Sequence, residues 1–144
     1  MPSRPLPLRI VPAETRRDIG RFFRFPRAVY RGDPNRVEPI LADRIAKVDP
    51  GRNPFWRTAE RRLWMALRGG TVAGTIAAIH DRRPNEVLHR ALGSFGFFEC
   101  RDDPEAAVLL VDTAAAWLAA RGLTSMRGPF NPSPDDEPGI LVEG

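Results

Sequence analysis

The chain has 144 residues, a formal net charge of +4 and 42% hydrophobic residues, the figures of one globular domain rather than of a disordered or fibrous chain. A single cysteine, Cys100, excludes an internal disulfide and a cysteine-rich zinc centre, and with two histidines no metal site is expected. No segment reaches the roughly 20 apolar residues that span a bilayer, and Met1–Pro12 lacks an apolar core of signal-peptide length, so a cytoplasmic protein with no membrane partner is expected.

The cations are almost all arginine, Lys47 being the only lysine. Arginine suits planar bidentate contacts with phosphate. Here, however, the arginines are interleaved with carboxylates and form no compact basic run. GC-rich coding accounts for the bias, and nucleic acid is not the expected partner.

In chain order, Leu6–Val11 alternates as a first strand with Leu6, Leu8 and Ile10 on one face, ended by Pro12. Thr15-x-x-Asp18 is a capping box that starts a helix near Glu14–Arg16. Ile19, Phe22 and Phe23 form its apolar side, Arg17, Arg21 and Arg24 a solvated side, and Pro26 disrupts the pattern. Arg31–Asn35 is a turn, and a second helix is predicted from about Glu38 to Lys47. Asp49–Pro54 is a loop, pinned to the core by Phe55 and Trp56. Leu63–Leu67, apolar throughout, is a strand covered on both faces. Gly69-Gly70 closes a hairpin onto the return strand Val72–Ile79, whose small residues Ala73, Gly74, Ala77 and Ala78 indicate close packing from above. Asp81–Asn85 reads as a polar loop and Gly93–Cys100 as a strand, with Gly96 marking a bulge or a close backbone approach. Asp103 is a strong N-cap with Pro104 at the first helical position. The helix it opens runs to Gly122 and is about 27 Å long. Leu123–Arg127 is the last predicted strand, followed by the loop Gly128–Pro132. The apolar end Gly139–Gly144 reads as the approach to a further strand, so the sequence is expected to be the front part of a longer domain.

The implied fold is α/β (α+β), a mixed, mainly antiparallel sheet with helices on both faces, in one domain over residues 1–144. At this point the sequence resembles the GNAT-type N-acetyltransferases. Leu8–Thr15 is similar to their first strand and helix start, and Leu63–Ile79 to their central hairpin. Three segments resemble a little-studied bacterial branch of GNAT-like proteins: Phe25-Pro26-x-x-x-Tyr30-x-x-Asp33-Pro34, Phe95–Cys100 and Arg127–Pro132. In such proteins the domain continues with a further helix and strands.

The resemblance implies acyl transfer from acetyl-CoA or another acyl-CoA to a small-molecule amine. It places pantetheine along the backbone of the fourth strand, here Phe97 and Phe98, and a carboxylate general base near that strand, here Glu99. It also implies a glycine-rich loop at the start of the long helix, whose N–H groups hold the pyrophosphate. That place holds Arg101-Asp102-Asp103-Pro104-Glu105 instead. There is no glycine, one donor is lost to Pro104, and three acids oppose an anion, so no phosphate loop is expected. Asn131, Asp135 and Asp136 follow the fifth strand, where ligands of open α/β sheets bind, and are candidates to recognise a cationic amine. Cys100 is expected to be a buried, unreactive thiol. Two alternatives to an acyltransferase stand beside it: a non-catalytic GNAT-like module that binds a ligand, a second GNAT-like domain or another copy of itself, and a basic nucleic-acid-associated protein.

Overall fold

The computed structural model describes residues 6–140 and 142. Residues 1–5 of the N-terminal segment and most of the terminal run after Ile140 lie outside the described residues. The elements are β1 (Leu8–Pro12), α1 (Arg16–Val29), α2 (Leu41–Val48), a 3-10 turn (Pro54–Arg57), β2 (Ala59–Arg68), β3 (Thr71–Asp81), α3 (Arg82–Leu88), β4 (Leu92–Cys100), α4 (Pro104–Ala119) and β5 (Ser125–Arg127). One five-stranded sheet runs in the order β1-β2-β3-β4-β5. Its first four strands are antiparallel and β4 pairs with β5 in parallel. This is the mixed, mainly antiparallel sheet read from the sequence. The helices α1 and α2 cover one face and α4 the other.

Local chemistry explains most of the boundaries. The Thr15 side chain accepts from the Asp18 N–H, and Asp18 accepts in return from the Thr15 N–H, which completes the capping box of α1. Pro26, which disrupts the apolar pattern, lies inside the helix, which runs on to Val29. Phe22, Phe23 and Phe25 are buried just before Pro26, and their packing outweighs the one lost backbone donor. Gly69 and Gly70 sit at φ 58° and 86°, the left-handed pair that a two-residue hairpin turn requires. The polar stretch Asp81–Asn85 is also corrected. Asp81 caps the short helix α3 by accepting from the Arg83 N–H. None of its residues is buried, so no apolar period announced it.

The core lies in two layers separated by the sheet. On one side Trp64, Ala66, Ile76 and Ala78 meet Ala106, Leu110, Ala114 and Leu118 of α4. Burial of a leucine such as Leu110, fully excluded from solvent, stabilises by about 2 kcal/mol. The small residues of β3 admit α4 closely: a Cβ on Gly74 would stand 2.7 Å from Leu110 Cδ1 and 3.0 Å from the Glu99 carbonyl oxygen. On the other side Phe22 and Phe23 pack over Leu63, Met65, Ala77 and Phe97. Trp56 pins the preceding loop as read, its indole N–H donating to the Lys47 carbonyl at 2.8 Å.

Candidate functional site

The site begins with an irregularity in β4. Thr75 pairs with Glu99 and Ala77 with Gly96, so Phe97 and Phe98 both stand opposite Ile76. This is a β-bulge, and it reverses which residues face which layer. Before it, Phe95 packs on the α4 side; after it, Phe98 and Cys100 do so, while Phe97 turns to the α1 side and meets Phe23 edge-on at 5.4 Å. Glu99 is thereby carried to the α1 side of the sheet. Without the extra residue it would share a face with Phe95.

The bulge is held by side chains. Phe97 has φ 48°, a strained left-handed conformation for an aromatic residue. Its N–H donates to Asn131 Oδ1 at 2.6 Å and its carbonyl accepts from the Thr75 hydroxyl at 3.0 Å. Gly96 makes the close backbone approach that the sequence suggested. A Cβ there would fall 1.6 Å from the Phe130 carbonyl oxygen, so only glycine lets the segment after β5 lie against β4. The Phe130 N–H completes this contact by donating to the Phe95 carbonyl at 2.9 Å.

The result is a cleft of about 420 Å³ between α1, β4 and the segment after β5. Phe22, Phe23, Pro26, Phe97 and Ile140 contribute apolar walls, and Glu99, Tyr30, Arg36, Arg44 and Asn131 the polar groups. The Tyr30 hydroxyl donates to Glu99 Oε2 at 2.7 Å. Burial raises the Glu99 pKa above the usual carboxylate range, against the opposing pull of Tyr30, Arg36 and Arg44. The same hydrogen bond, with burial, pushes the Tyr30 phenol up to about 12. The Arg36 guanidinium lies 4.6 Å from the Tyr30 ring centroid and pairs with Glu38 at 3.2 Å. A carboxylate of raised pKa, partly desolvated in a cleft lined by both apolar and polar side chains, is equipped to take a proton from an amine.

The sequence candidates fall in different places. Glu99 and Asn131 line the cleft, as do Phe97 and Phe98. Asn131 spends its side chain on structure, since its Nδ2 also donates to Glu137 at 3.3 Å. The Phe97 N–H is occupied by Asn131 and is not free for a pantetheine amide. Asp135 and Asp136 are exposed and do not line the cleft; Asp136 accepts from the Ser133 hydroxyl at 3.1 Å. Glu137 holds the segment down instead, paired with Arg44 at 2.6 Å and Lys47 at 3.1 Å. Burial alone would raise the Glu137 pKa, but these two cations outweigh it and hold it low. Sequence reasoning passed over Tyr30, Arg36, Arg44 and Thr75 as site residues. The signal was present for Tyr30: the three motif segments around Tyr30, Glu99 and Asn131 converge on this one cleft.

At the start of α4 the residues do not fit a pyrophosphate. Asp103 caps the helix by accepting from the Ala106 N–H at 3.1 Å, and Pro104 has no N–H to offer. Arg68, not the neighbouring Arg101, pairs with these acids. Arg68 makes two hydrogen bonds to Asp103, at 2.7 and 2.9 Å, and one to Glu105 at 2.6 Å. The Asp103 pKa is held low, chiefly by Arg68. Arg101 lies instead over the Phe25 ring, 5.7 Å from its centroid. Cys100 is half-buried; burial, and then the Asp103 charge, push its thiol pKa up. Among the described residues no group of three or more His, Cys, Asp or Glu side chains is placed to hold a metal.

No protein-family model matches the chain. It is 38% identical over 138 residues to a bacterial ceramide synthase of Caulobacter vibrioides, covering 95% of this chain and 36% of that protein. It is 32% identical over 127 residues to protein YghO of Escherichia coli, covering 88% of this chain and 32% of that protein. The chain thus spans about a third of the length of the curated relatives it matches. Among solved structures it is similar to a tandem GNAT protein from the clavulanic acid biosynthesis pathway, with TM-score 0.62 and 15% identity over 83% of this chain and 35% of that one. It is also similar to an aminoglycoside acetyltransferase from a soil metagenome, with TM-score 0.55 and 12% identity over 83% of this chain and 75% of that one. The fold is that of the GNAT-type acetyltransferases.

Proposed function

We propose that this chain carries the acceptor half of an N-acyl transfer, in which Glu99 takes the proton of a primary amine seated in the cleft. The observation that supports it is the half-buried Glu99 carboxylate, bonded to Tyr30 in a cleft partly walled by apolar side chains. Deprotonation of an ammonium by Glu99 frees the nitrogen lone pair that an acyl group must meet. Tyr30 fixes the carboxylate and leaves its second oxygen to the amine. Phe22, Phe23, Pro26 and Phe97 give the hydrocarbon body of an amine apolar side chains to pack against. Similarity to a ceramide synthase favours the same class, because a ceramide is the amide of a long-chain amino alcohol.

The GNAT fold favours an acyl thioester as the donor, yet the start of α4 is built against its pyrophosphate. We assign that phosphate site to a second GNAT-like domain, a reading supported by the likeness to a tandem GNAT protein. The second reading, a non-catalytic module, draws on the same capped helix and on the occupied Phe97 N–H. An assay separates them. Incubated with an acyl-CoA and a long-chain primary amine, the enzyme assembled with its partner domain is expected to form the amide, seen by mass spectrometry, and Glu99→Gln to lower the rate about 100-fold or more. Amide formation unchanged in Glu99→Gln would remove Glu99 from the reaction, and no amide from any chain length would leave the non-catalytic module.

A further inference from the structure

We infer that the mouth of the cleft docks on an anionic phospholipid surface, held there by an arginine stripe along α1. Arg16, Arg17, Arg21, Arg24, Arg27 and Arg31 lie on α1 or just past its end. At 3.6 residues per turn they fall within an arc of about 140°, on the side of the helix away from the buried Phe22. None of the six makes an ion pair among the described residues, whereas Arg36, Arg44, Arg62, Arg68, Arg82, Arg83 and Arg121 all do. Arg21 is half-exposed and the other five are exposed. The one acid inside α1, Asp18, is turned back onto its own helix cap. The stripe therefore presents uncompensated positive charge, which the chain-wide mixing of charges concealed.

Two further features place a lipid surface, rather than another polyanion, against it. The C-terminal end of the stripe adjoins the cleft: Arg27 and Arg31 border a second hollow that shares Tyr30 and Arg36 with the first. Asp33 and Glu38 border that hollow too, Glu38 being taken up by Arg36. The rim of the cleft beside these cations is apolar and open, with Val37 87% and Ile140 66% exposed. Cations beside exposed apolar side chains are the pairing that an interfacial surface offers to head groups and acyl chains together. A nucleic acid would use the cations and leave the apolar rim in water. No described helix is long and apolar enough to cross a membrane. The inference stands without the acyl-transfer reading, though it gives an amphiphilic amine a route from the lipid surface into the cleft.

Co-sedimentation with vesicles tests it. The chain is expected to bind phosphatidylglycerol–phosphatidylcholine vesicles and not pure phosphatidylcholine, and to be released by salt. Each arginine removed is expected to lower partitioning about fivefold. A quadruple Arg17, Arg24, Arg27 and Arg31 to Gln variant that stays folded by circular dichroism should therefore lose binding. A Val37→Ser, Ile140→Ser double variant keeps the charge and should still lose several-fold on vesicles while leaving binding to duplex DNA unaltered. Equal binding to neutral and anionic vesicles would overturn the inference. So would vesicle binding indifferent to Val37 and Ile140, or duplex DNA bound more tightly than vesicles at the same salt.

Discussion

At the scale of single residues, the Tyr30–Glu99 pair decides what the cleft can do. A phenol that donates to a carboxylate gives up more by ionising than a free phenol does, since the phenolate would face the carboxylate charge. Tyr30 is the only tyrosine of the chain, so its ultraviolet absorbance titration reports this one group. The hydrogen bond to Glu99 and burial are expected to raise the midpoint to about 12 in the wild type, and Glu99→Gln to bring it toward the usual tyrosine value of about 10. A wild-type midpoint near that usual value would show that the bond is absent in solution. The sign for stability follows. Because the folded pKa of Tyr30 lies above the unfolded one, its contribution is fully present below about pH 10 and is lost as pH rises through about 12.

At the scale of elements, the β4 bulge is the device that makes the site. It turns Glu99 from the α4 layer to the cleft, and it depends on Gly96 accepting the Phe130 carbonyl where a side chain would stand. Gly96→Ala is expected to destabilise the chain by about 1–3 kcal/mol and to loosen the segment after β5, read as a lower denaturation midpoint and faster amide exchange at Phe130. An unchanged midpoint would mean that the close approach is not made. The order of elements was legible in the sequence because Thr15, Gly69-Gly70 and Asp103-Pro104 each carry their own local chemistry. The close packing on β3 and the irregularity at Gly96 were legible for the same reason. The direction in which Glu99 points was not. A bulge is visible in sequence only as a glycine, whereas its effect on facing depends on the register with Thr75 and Ala77 in another strand. Helix α3 escaped because it buries nothing. Tyr30 stands in one of the motif segments, but its pairing with Glu99, 69 residues away in sequence, is not visible in either segment alone. The role of Arg68 as a clamp on Asp103 and Glu105 was hidden by the same long-range pairing.

At the scale of the whole molecule, the two ends of the sheet opening have become chemically different. The start of α4, where the fold would meet a pyrophosphate, is sealed by Asp103, Pro104 and Arg68. The cleft under α1 remains open, walled by apolar side chains and by Arg36 and Arg44, with the Glu99 carboxylate inside it. Such a division fits a chain that receives an acceptor while the donor's phosphates are held elsewhere. The measurement that tests this most directly is calorimetric titration with a long-chain primary amine, and with the alcohol of the same length, as a function of pH. Glu99 must be ionised to pair with the ammonium, so amine binding should strengthen as pH rises through its raised pKa. The alcohol should bind more weakly and without that dependence, and Glu99→Gln should erase the difference between the two. Equal, pH-independent binding of amine and alcohol by the wild type would contradict the assignment of the cleft to an amine.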